Sequence, residues 1–270
     1  MPPLTDRHPG RSPRLPTAMI LSLARVTLIE AVRNRLLWLA AAVVVVALGL
    51  AQFLNQVAIT ESREIQTALL AAPLRVAAVF MIAVFVITST VREFNDKITE
   101  LLLSLPAPRS FYFLGKFAGY AAVASIVALL SALPLAPFAN PAGLALWTAS
   151  LFCELLIVTA ISLFCVLSFA QVVPAFAAVG GFYLLSRSMA AMQIIAGAPL
   201  QEPTLADRAV NVIVESIALL LPSLDRMTQT TWLLEPLSGV GILGGVLGQT
   251  AVYLLLICSA ALFDLYRRNF

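Results

Sequence analysis

The chain has 270 residues, of which 60% are hydrophobic and only 11% charged. A soluble domain carries about 25% charged residues, so composition excludes a soluble fold and places the chain among membrane proteins. Its basic residues outnumber the acidic ones 17 to 14 and stand in short blocks beside apolar runs, a pattern that orients membrane proteins rather than binding nucleic acid.

Residues 1–17 are rich in proline and arginine and hold no apolar run, so they read as a disordered cytosolic tail before a membrane domain over 18–270. From Ala18 to Arg35 a helix is expected, with Leu21, Ala24, Leu28 and Val32 on one face and Arg25, Arg33 and Asn34 outside it. That pattern suits an N-terminal helix lying in the membrane interface. Crossing about 30 Å of hydrocarbon takes roughly 20 helical residues. Leu36–Ala58, Leu74–Val91 and Phe117–Phe138 each meet that length as spans one to three. Thr60–Ala72, with Glu61, Arg63 and Glu64, reads as an outer loop, and Asn140, Pro141 and Gly143 as a tight turn on the same side. Leu144–Leu200 is long enough for spans four and five, joined near Gln171 and Pro174, and Ser238–Phe263 makes span six.

Gln201–Leu237, before the last span, contains the apolar segment Ala209–Leu221. As a helix its length is about 20 Å, short for a crossing. It is expected to form an outer hairpin, re-entrant or interfacial. The resulting fold class is an all-α integral membrane protein with six transmembrane helices. In this topology the basic residues at Arg7, Arg11, Arg14, Arg25, Arg33, Arg35, Arg92, Lys97, Arg109, Lys116, Arg267 and Arg268 are cytosolic, whereas the outer loops hold Arg63, Arg208 and Arg226. This asymmetry puts both termini in the cytosol.

Charge is concentrated between two apolar runs only in Val91–Lys116, VREFNDKITELLLSLPAPRSFYFLGK. At helical spacing Phe94, Ile98, Leu101, Leu102 and Leu105 fall on one side, and Glu93, Asp96, Lys97, Glu100 and Ser104 on the other. Glu93 precedes Lys97 by four residues, a favourable order for an ion pair, and Pro106 with Pro108 ends the short amphipathic helix. Ser110 can cap the next helix. Residues alone describe a helix lying on the bilayer.

The wording of this stretch also resembles the cytosolic loop between spans two and three of type-two ABC exporter permeases. The residues that carry the resemblance are Glu93, Glu100, Leu101, Leu102, Leu103, Leu105, Pro106, Arg109, Gly115 and Lys116. The chain departs from that family's usual wording at Lys97, Ile98 and Pro108. The resemblance implies that the loop is a coupling helix that docks in a cleft of a separate ATP-hydrolysing subunit. Glu93, Phe94, Asp96, Ile98, Glu100, Leu101, Leu102, Pro106 and Arg109 are then its partner-binding residues. It further implies a multi-pass permease of the bacterial inner membrane and a second permease subunit, most simply as a homodimer. ATP and Mg would be bound on the partner ATPase, with no cofactor on this chain. Within the family, the chain looks most like stand-alone permeases, including those linked to copper-enzyme maturation.

Two further features stand out inside the spans. Glu154 in span four and Arg187 in span five are buried charges that need a partner. They lie about ten and eleven residues from the outer ends, at similar depths if each residue rises 1.5 Å. They read as a neutralising pair, or alternatively as part of a substrate or proton path. In span six Gly241, Gly244, Gly245 and Gly248 make two overlapping GxxxG spacings that admit a close helix, from the same chain or a second copy. Cys153, Cys165 and Cys258 all sit in apolar runs and read as free thiols. The single histidine, His8, lies in the tail, so a His-based metal site or triad has no material. No GxxxxGK[ST] phosphate loop is present, so the chain is not its own ATPase of that kind. The alternative to an exporter subunit is a secondary transporter or channel that uses Glu154 and Arg187 and needs no ATPase.

Overall fold

The computed structural model describes residues 16–57, 63–96, 109–197, 205–234 and 239–267. Among them the chain is all helical, with no strand. Eight α-helices follow in order: α1 (Pro16–Arg33), α2 (Leu36–Val57), α3 (Arg63–Asn95), α4 (Arg109–Ala132), α5 (Pro141–Phe169), α6 (Val172–Gly197), α7 (Leu205–Leu220) and α8 (Gly239–Arg267). Five of these, α3, α4, α5, α6 and α8, are long and apolar enough to cross a membrane. The count becomes six if α1 and α2, bent by 56° about their junction, act together as one span. This is a helical membrane protein. The left-handed backbone of Arg35, φ 58°, produces the break between α1 and α2.

The bundle is built around α5, whose sequence is apolar on every side and which is accordingly buried on every side. It packs against α3, α4, α6 and α8, and carries the fully buried Trp147, Leu151, Leu155 and Ile157. Its start is set by Asn140, whose side-chain oxygen accepts the Ala142 N–H at 3.2 Å, with Pro141 in the first turn. Its end is set by left-handed Ala170, φ 55°. Chain reversal there lets α6 begin at Val172, with Pro174 in its first turn where no helical N–H is lost. Helix α1 lies on α4 and crosses it closely at Gly119, where a Cβ would stand 2.6 Å from the Thr27 Cβ. Outward-facing leucine and phenylalanine, such as Leu255, Leu256 and Phe263 on α8, give the bundle an apolar surface.

Several boundaries differ from the sequence expectation. The outer loop predicted over Thr60–Ala72 is helical from Arg63, so α3 runs unbroken through Pro73. Charged residues and a proline do not stop a helix that neighbours hold in place. Helix α1 starts at Pro16, inside the tail expected to be disordered, while residues 1–15 lie outside the described residues. Helix α4 starts at Arg109, so Ser110 lies within the helix rather than capping it.

The largest difference concerns the connection before the last span. Its first half is the amphipathic helix α7 packed on α6, but its second half is not a peripheral loop. Residues 222–234 enter the bundle as two short 3-10 turns, Leu224–Arg226 and Thr230–Leu233, and bury Pro222, Leu224, Met227, Thr228, Trp232 and Leu233. The Asn140 N–H donates to the Leu233 carbonyl at 2.9 Å, and the Trp232 carbonyl presses against Gly143 so closely that a Cβ there would lie 1.9 Å from it. Glycine is required at 143 by this approach.

Candidate functional site

Helix association inside lipid gains little from dehydration, because lipid tails are as apolar as leucine. Polar contacts between helices therefore carry much of the specificity. Among the described residues, besides isolated bonds such as Ser168 to Asp264, two layers of them lie on α3, one around Glu93 and one around Arg75. The 18-residue separation between them along α3 corresponds to about 27 Å, close to the hydrocarbon thickness.

The Glu93 layer is built from residues at helical repeat. Tyr112, Lys116 and Tyr120 stack one turn apart on α4 and meet Ser89, Thr90 and Glu93 on α3. Lys116 Nζ donates to and ion-pairs with Glu93 Oε1, and the Tyr112 hydroxyl donates to Glu93 Oε2 at 3.3 Å. The Tyr120 hydroxyl donates to Ser89 Oγ at 3.1 Å, and Ser89 Oγ donates to Glu30 Oε1 of α1 at 2.7 Å. The Lys116 ammonium also lies 5.6 Å from the Tyr120 ring centroid. Arg109, at the start of α4, donates through Nη1 to the Leu265 carbonyl of α8 at 2.9 Å. Four helices are thereby tied together at this end.

That geometry corrects the placement of Glu93. Periodicity put it on the polar outer face, paired with Lys97, in a short separate helix. Instead Glu93 and Phe94 continue α3 to Asn95, and the Glu93 side chain turns inward to Lys116. Phe94 is half-buried against the core and Asp96 is exposed. Ile98, Glu100, Leu101, Leu102 and Pro106 lie outside the described residues, as does the rest of 97–108. A lysine seven residues into α4 was the available signal for Glu93, but it was counted among the cytosolic basic residues and the family-like wording rather than as a buried partner.

The second layer brings Glu154 and Arg187 together, with Arg187 Nη1 3.7 Å from Glu154 Oε1. Neither group relies on the other alone. Glu154, fully buried, accepts from the Tyr183 hydroxyl at 2.9 Å and from the Thr228 hydroxyl. Arg187 Nη1 donates to the carbonyls of Leu224 and, at 3.2 Å, Met227. Thr228 is the centre of the arrangement, since its N–H donates to Ser150 Oγ at 3.0 Å and its carbonyl accepts from Arg75 Nη1 at 3.2 Å. With its hydroxyl on Glu154, all three of its polar groups are paired. Thr228 holds a left-handed backbone, φ 53°, which costs a β-branched residue about 1–3 kcal/mol.

Sequence reasoning missed Tyr183, Thr228, Ser150 and Arg75. The four-residue spacings Ser150/Glu154 and Tyr183/Arg187 put each pair on one helix face and were a usable signal. Thr228 had none. The glycines Gly241, Gly244, Gly245 and Gly248 have no close neighbour among the described residues, for a Cβ at each would meet nothing within 4 Å. Cys153, Cys165 and Cys258 are free thiols. Among the described residues no group of three His, Cys, Asp or Glu is arranged to hold a metal. No family model matches this chain, and no curated protein matches it.

Proposed function

We propose that this chain is the membrane subunit of an ABC exporter, driven through residues 93–109 by a separate ATPase that binds ATP and Mg. The observation that supports the reading is where the family-like wording falls. The ELLLSLPAPR stretch joins α3 to α4, the two helices that the Glu93–Lys116 ion pair clamps together. Force applied to such a connector would reach α3 and α4 jointly, then α1 through Glu30 and α8 through Arg109. A coupling element needs that rigidity at its base. Glu93 serves here as part of the clamp, and Asp96, Ile98, Glu100, Leu101 and Leu102 supply the docking face. In this reading the connector and both termini are cytosolic, the membrane is the bacterial inner membrane, and two copies of the chain assemble with two ATPases. Gly241, Gly244, Gly245 and Gly248, uncovered among the described residues, suit the seam between copies.

The test is Leu101→Asp with Leu102→Asp. Truncating a central anchor costs about 2 kcal/mol or more of binding. The variant is expected to remain folded and inserted yet lose co-purification of the partner ATPase and stimulation of its hydrolysis in lipid vesicles. Full association and stimulation would reduce the connector to a surface loop and remove the basis for the exporter assignment.

A further inference from the structure

A recess of about 440 Å³ opens between α3, α6 and the inserted loop, lined by Ala72, Arg75, Arg187, Gln229, Thr230 and Thr231. From its two guanidinium groups and its donor-rich lining, we infer that it is a binding site for a phosphate-type oxyanion. Among the described residues no carboxylate lines it. Glu154 lies beneath it, fully buried, with one oxygen taken by Tyr183 and the other by Thr228. Asp225, within electrostatic reach of Arg187, also lies outside the lining. These two carboxylates balance the arginines and allow them to be buried without a ligand. The hydrogen-bond donors are not balanced in the same way.

Each guanidinium carries five N–H groups in a rigid fork. Arg187 engages backbone carbonyls through Nη1, and Arg75 engages the Thr228 carbonyl through Nη1. The Arg75 Nε is buried and has no hydrogen-bond partner among the described residues. A phosphoryl group offers several acceptor oxygens in the geometry the fork matches, which an isolated water does not. Gln229, Thr230 and Thr231 add amide and hydroxyl donors from the loop. Thr231 is exposed, so the recess is reached from the protein surface at the loop. The same chemistry serves a phospholipid headgroup or a free phosphate compound, and the site is independent of any ATPase.

Two probes separate those sources. Purified protein in detergent is titrated with inorganic phosphate by calorimetry, and native mass spectrometry compares retention of phosphatidylglycerol with that of a neutral diacylglycerol. Binding of phosphate identifies a soluble oxyanion site, and selective retention of the phospholipid alone identifies a headgroup site. Arg75→Gln is expected to weaken the bound probe about tenfold, the loss of a charge-assisted contact. Thr231→Glu, which alters an exposed position and breaks no side-chain hydrogen bond of the Glu154 layer, should abolish binding with thermal stability unchanged. Absence of binding of both probes to the unaltered protein, or equal binding by Thr231→Glu, would overturn the site.

Discussion

At the Glu93 end of the bundle the carboxylate meets its lysine directly, and both are carried by continuous helices. At the Glu154 end the arginine stands 3.7 Å from the carboxylate, and residues 224–228 of an inserted loop satisfy what the pair leaves unmet. The contrast shows two ways of burying charge. A direct pair fixes two helices to each other, and little besides those helices is needed to maintain it. A loop-mediated pair is held by backbone carbonyls and a strained threonine, so its geometry depends on a non-helical segment fastened through single hydrogen bonds to Asn140, Ser150 and Arg75. The first suits transmission of force, the second a wall that a ligand can touch.

The contrast is broken most forcefully at Lys116. Lys116→Met leaves Glu93 buried with the Tyr112 hydroxyl as its remaining partner in this layer. Removing one member of a buried pair costs about 3–5 kcal/mol. Unfolding of the purified protein in detergent should show that loss, and adding Glu93→Gln should restore much of it, since the uncompensated charge is gone. A loss below about 1 kcal/mol would mean that water replaces the lysine and that the clamp is not buried in the working protein.

The Glu154 end is probed next through a residue that touches neither charge. Gly143→Ala places a Cβ where the Trp232 carbonyl sits, 1.9 Å away, so the loop must move. Overpacking of this kind costs about 1–3 kcal/mol. Its distinguishing sign is local. Protease or hydrogen-exchange protection should fall over 222–234 while the Glu93 end is unchanged. Uniform loss of protection across the bundle would show that the loop is part of the same cooperative unit as the helices.

Much of the fold was legible because membrane helices announce themselves by length and composition, and the turn at Gln171 and the pairing of Glu154 with Arg187 followed from chain order and depth. Helix ends were less legible. Pro73 carries a loop signal, yet α3 runs through it, and Glu93 has a polar neighbour pattern that pointed outward until Lys116 supplied a partner from another helix. The inserted loop was read least well. Pro222, Leu224, Thr228 and Trp232 form no period, and their burial is decided by Gly143, Ser150 and Glu154 on a helix 74 to 89 residues earlier in the sequence. No local pattern encodes such a contact.

The smallest effect expected is the direct coupling between Glu154 and Arg187. A double-mutant cycle with Glu154→Gln and Arg187→Met isolates it. Because Glu154 keeps Tyr183 and Thr228 when the arginine is lost, and Arg187 loses carbonyl partners that have nothing to do with the glutamate, most of each single loss is not shared. The coupling should fall near the lower end of the ~0.5–3 kcal/mol found for touching residues. It should also be smaller than that of Glu93 with Lys116 in the parallel cycle, and smaller than that of Glu154 with Thr228 measured through Thr228→Val. If instead Glu154 couples to Arg187 as strongly as Glu93 does to Lys116, then the two ends work alike. The loop would be covering a pair that stands without it, and the contrast between a clamped end and a loop-held end would have no energetic basis.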